Sequence, residues 1–150
     1  MRAFLCFLCL SLGVHAAPSF QVQNIKNTIY QMALYQAKVR HNISTLNNRL
    51  SIIVLDIRAR RVQMDDISSA RVLEVFRENT ALFRILQDYY GHNDGLFNYL
   101  EGILEGYKSI ARDMQHTAPL QDCMPIMRDI LTQLQAIVML EKQLDNLIEQ

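Results

Sequence analysis

Cys123 lies seven residues after His116, and a thiol beside an imidazole is the pairing that nucleophilic catalysis uses. The two residues straddle a segment containing Pro119, and lone pairs of this kind are far more often incidental than catalytic. His92, Asn93 and Asp94 are a second candidate cluster. Three adjacent weak ligands offer poor geometry for a dedicated metal site, and Asp94 reads better as a helix cap in a polar turn. The remaining downstream histidine, His41, stands alone. No H-E-x-x-H, G-x-S-x-G or phosphate-loop pattern occurs. The expectation is a protein without catalytic residues, metal or cofactor.

Two further motifs are substrates for other enzymes. Asn42-Ile43-Ser44 is an N-glycosylation sequon with Asn42 as acceptor. Arg58-Ala59-Arg60-Arg61 matches the R-x-R-R pattern cut by furin-type convertases, with cleavage after Arg61. A helix over 20–64 would resist that cut, because proteases need the segment to open locally.

Both motifs require the secretory pathway, and the first residues supply an address. Arg2 precedes an apolar run from Ala3 to Val14, and Val14-His15-Ala16 places small residues at the positions of a cleavage site. This is the layout of a secretory signal peptide, too short to span a bilayer. The reading is a signal peptide over 1–16 and one domain over 17–150, secreted and extracellular, without membrane insertion.

Cys6 and Cys9 leave with that leader, so Cys123 is the sole thiol downstream. It is either buried as a small apolar residue or paired in an intermolecular disulfide. The fold must therefore be held by packed apolar faces. Residues 17–84 carry ten Lys/Arg against five Asp/Glu, and residues 85–150 four against ten. Attraction between packed halves explains this more simply than a polyanion site, because the arginines are spread over several turns. Nothing points to nucleic acid.

The elements that position these residues read as helices. Val22, Ile25, Ile29, Met32, Gln36, Val39, Ile43, Leu46, Leu50, Ile53 and Ile57 alternate steps of three and four, a heptad seam apolar except at Gln36. Ile52-Ile53-Val54-Leu55 is apolar on every side and predicts a stretch surrounded by other helices. The first helix runs 20–64 or breaks near 41–48. Others are expected over about 67–90, 95–116 and 122–149, with Asp94 and Asp122 as caps and Gly91–Gly95 as the turn between the second and third. Gly102 and Gly106 share a side of the third helix and permit a close approach. Tyr89, Tyr90, Phe97, Tyr99 and Tyr107 are expected to close one end of the core. The fold class is all-α: an up-down antiparallel bundle of four helices, or five if the first one breaks.

Signal peptide, helical bundle and optional glycan together resemble the architecture of a short-chain four-helix cytokine. The single downstream cysteine departs from the disulfide pattern most of those carry. The resemblance implies a cytokine-like factor that binds an extracellular or cell-surface protein; a secreted effector or immune modulator has the same profile. Two alternatives stand beside it. Methionine and aromatic content would suit a carrier of a small apolar ligand or lipid. The long seam, with Cys123 as a lock, would suit a structural coiled-coil homodimer.

Overall fold

The computed structural model describes residues 19–89 and 96–150, and their side chains except at 89 and 96–99. The leader, the 91–95 turn, the His92-Asn93-Asp94 cluster and the aromatics at 89, 90, 97 and 99 lie outside these described parts. The described chain is all-α, as the apolar periodicity predicts. It comprises α1 (Phe20–Arg58), α2 (Asp66–Tyr89), α3 (Leu96–Gln115), a 3-10 segment (Ala118–Cys123) and α4 (Met124–Glu149).

Helix α1 is unbroken across 41–48 and, at 39 residues, spans about 58 Å. Ser19 caps it by accepting from the Val22 N–H. It stops six residues before the expected end, and the reason is local. Arg60 takes a left-handed conformation, with φ 53°. Its N–H bonds to the Ile57 carbonyl at 3.0 Å, and the Arg61 N–H reaches back to the Asp56 carbonyl at 2.9 Å. That pair of bonds is a Schellman cap, with arginine where glycine is usual. Asp65 then caps α2: its carboxylate accepts from the Ser68 N–H at 2.8 Å and from the Ser68 hydroxyl at 2.7 Å.

The expected cap at Asp122 is displaced. Asp122 falls within the 3-10 segment, and α4 starts at Met124 with no side-chain cap at Cys123. Pro119 and Pro125 sit in the first turns of the two segments, where a missing N–H costs nothing.

Helix α1 packs along α4 and α2, and α3 packs against α2 and α4. Gln21 donates to the Leu147 carbonyl and Asn42 donates to Gln133, so α1 and α4 run antiparallel. The core includes Val39, Ile43, Leu46 and Leu50 of α1, Val72 and Leu86 of α2, Tyr107 and Ile110 of α3, and Met127, Ile130 and Leu134 of α4. Within α1 the heptad seam gives way. The buried positions are 28, 39, 43, 46, 50 and 54, with Ile53 only partly covered. The eleven steps from Ile43 to Val54 make about three turns, close to the 3.6 residues per turn of an ordinary helix and away from the 3.5 of a left-handed heptad coil. Nearer the start, Val22 and Ile29 are exposed.

Segment Ala118–Glu149 contains an 18-residue window of mean hydropathy 1.2, long and apolar enough by those measures alone to cross a membrane. Here its apolar side is core, with Met124, Met127, Ile130, Leu134 and Ile137 buried. Gly106 meets Leu82: a β-carbon there would lie 2.9 Å from the leucine side chain, so α2 and α3 approach closely at this point. Gly102 has open space beside it and takes no part in that approach.

Candidate partner-binding face

The run Ile52-Ile53-Val54-Leu55 is not surrounded. Val54 is buried, Ile53 is half-buried, but Ile52 and Leu55 are 58% and 59% exposed. A helix advances 100° per residue, so 52 and 55 share a side while 54 points to the core. With α2 and α4 on the core side of α1, no described residue covers Ile52 and Leu55 on the opposite side. Val62, in the connection, and Ile67, in the first turn of α2, are exposed large aliphatics at the same end of α1. Asn48, Arg49 and Arg58 are exposed beside the pair in sequence. An apolar centre with a polar, arginine-bearing edge is the composition of a protein interface.

Arg58, Ala59, Arg60 and Arg61 are all exposed, at the end of α1 and in the irregular connection after it. Arg61 reaches Asp56 at 3.4 Å. The segment therefore does not lie inside a helix over 20–64, as the apolar pattern suggested.

Asn42, the sequon acceptor, is half-buried on α1, and its Nδ2 donates to Gln133 Oε1 at 3.0 Å. In this packing the nitrogen that would carry a glycan faces α4.

Cys123 is a free thiol, 2% exposed. Burial pushes its pKa up; the Arg49 charge pulls down against that, and Asp122 adds to the rise. A disulfide to a second chain would require this part of the core to open. His116 is exposed in the turn after α3, and among the described residues no hydrogen bond joins it to Cys123. A protonated, buried thiol lacks the character of a nucleophile. His41 is exposed on α1. Among the described residues no three His, Cys, Asp or Glu side chains gather as a metal site.

Two features escaped the sequence reading. An open groove of about 590 Å³ runs between α1 and α4, lined by Gln31, Tyr35, Met139, Leu140, Gln143 and Asn146. The Lys38 ammonium sits 5.5 Å from the Tyr35 ring centroid. Its residues are far apart in sequence, so only the α1–α4 pairing brings them together. The other is a buried polar chain. Tyr107 donates to Asn79, Asn79 donates to Asn47, and the Thr80 hydroxyl shares its one proton between the Phe76 carbonyl at 2.8 Å and the same Asn47 oxygen at 3.1 Å. This one had a signal: Asn79 occupies the core spacing between Val75 and Leu82. No family model, curated protein or solved structure matches the chain.

Proposed function

We propose that the chain is a secreted helical protein that acts without catalysis, by binding an extracellular or cell-surface protein through the outer side of α1. The observation that carries this reading is the exposure of Ile52 and Leu55 beside a well-filled core. Two large aliphatics one turn apart, each somewhat over half exposed, forgo about half of the roughly 1.5–3 kcal/mol each that full burial would give, and a partner recovers it. The leader layout at 1–16 supports secretion. The neighbour pairing of the helices and the α1–α4 direction favour an up-down arrangement, in which the outer side of each helix is available to a partner. Receptor ligands and secreted effectors of the cytokine-like kind work in this way.

The test is binding of labelled protein to intact cells. Saturable binding that unlabelled protein competes away, and that protease treatment of the cells abolishes, is the expected result. Binding that survives protease treatment would place the partner outside protein chemistry.

A second reading, a carrier of an apolar ligand, rests on the α1–α4 groove, where Tyr35, Met139 and Leu140 supply apolar wall. Solvent extraction and mass spectrometry of purified protein separate the two: a stoichiometric apolar molecule favours the carrier.

A further inference from the structure

We infer that the α1–α2 connection is a processing site: a subtilisin-like convertase hydrolyses the Arg61–Val62 peptide bond, and the product is a two-chain protein that stays assembled. Arg58, Arg60 and Arg61 supply cationic side chains at the fourth, second and first positions before the cut, the pattern such enzymes read through acidic subsites. The structure adds three things that the motif lacks.

The segment is accessible: residues 58 to 63 are all exposed, and α1 has ended before the scissile bond. It is also weakly held. A convertase binds its substrate extended, so the cap must open. What must break is the Ala59 N–H bond to Leu55, the Arg60 N–H bond to Ile57, the Arg61 N–H bond to Asp56 and the 3.4 Å ion pair of Arg61 with Asp56, with Arg58 leaving the last turn of α1. Arg60 starts from a left-handed backbone, φ 53°, unfavourable for a side chain with a β-carbon, so opening relieves strain there. Finally, the cut leaves the packing untouched. Helix α1 is joined to α4 by Gln21–Leu147 and Asn42–Gln133, to α2 by Asn47 with Asn79 and Thr80, and to the core by its buried aliphatics. Water adds across one amide: Arg61 gains a carboxylate, Val62 an amino group, and no cofactor or redox step is involved.

The inference uses the secretory reading for its cellular setting, and the experiment separates the two. Purified full-length protein is incubated with a purified furin-type convertase, then weighed intact under denaturing conditions and sized under native ones. The expected result is one fragment ending at Arg61 and one beginning at Val62, with an unchanged native elution volume. Arg61→Ala, with an unchanged circular dichroism spectrum, should block the cut. Asp56→Ala, which frees Arg61, should speed it several-fold. Resistance at an enzyme concentration that digests a peptide of residues 56–66 would overturn the assignment. Separation of the halves under native conditions would overturn the two-chain claim. In cells, intact protein alone in the medium would overturn processing while leaving secretion standing. Cleavage of the purified protein with none found in the medium would sink secretion and leave the site standing.

Discussion

Tyr107 on α3 donates its phenolic hydrogen to Asn79 Oδ1 on α2 at 3.0 Å, and both side chains are 0% exposed. Asn79 in turn donates to Asn47 on α1, so one polar chain crosses three helices inside an aliphatic core. Burial pushes the Tyr107 phenol far above its ordinary range. A buried polar group is costly unless satisfied, and a satisfied one fixes how neighbouring helices slide against each other. Asn79 therefore ties α2 to both α1 and α3.

Tyr107→Phe strands the Asn79 oxygen in the core. It should cost about 1–2 kcal/mol of stability in urea unfolding. A double-mutant cycle with Asn79→Leu should show strong coupling, because the double variant leaves neither partner unpaired. Additive losses would mean that the bond carries no energy of its own.

Arg60→Gly should stabilise the protein by about 1 kcal/mol, because glycine takes the left-handed position without steric cost. Thermal unfolding should show a rise of a few degrees. A fall would mean that the Arg60 side chain does something beyond occupying the turn.

Much of the architecture was legible in the chain. Steps of three and four placed every helix to within a few residues except at the end of α1, because apolar spacing reports which side is buried. That end was missed for lack of its usual mark, since Arg60 stands where glycine normally announces a Schellman cap. The surroundings of 52–55 were misjudged for a different reason. Four consecutive aliphatics say nothing about how many neighbours a helix has, and among the described residues those of α1 at 52–55 lie on one side only. Asn79 was readable as a polar residue at a core position. The α1–α4 groove was not, because its walls come from opposite ends of the sequence. Asn42 shows the limit of a motif: three residues define the sequon, while the bond from Asn42 to Gln133 exists only in the fold.

Asp65 gives α2 a pH-dependent cap. The Ser68 N–H, followed by the Ser68 hydroxyl, holds its carboxyl below the ordinary 3.8. A depressed folded pKa contributes stability that is present above the unfolded value and lost as pH falls through the folded one. The difference in urea midpoint between wild type and Asp65→Asn should therefore be constant from pH 7 to about 5 and shrink below pH 3.8. A difference independent of pH would contradict this cap.

Cys123 should behave as a core residue. With a thiol-reactive disulfide reagent at pH 8 the folded protein should react at least about tenfold more slowly than the urea-unfolded chain. Its intact mass should be the same with and without reductant. A mass that halves on reduction would show that the thiol pairs between chains and that the core around it opens.

The account stands or falls on the outer side of α1. The direct measurement is saturable binding of labelled protein to intact cells, comparing wild type with Ile52→Asp/Leu55→Asp. Both positions are exposed, so the double variant should keep its helical spectrum. The account predicts a loss of affinity of at least about tenfold, more than 1.4 kcal/mol, for this variant. A single charge introduced at exposed Met139, Met139→Asp, should have little effect. Unchanged binding by the folded double variant would contradict the account and move the recognition surface elsewhere on the bundle.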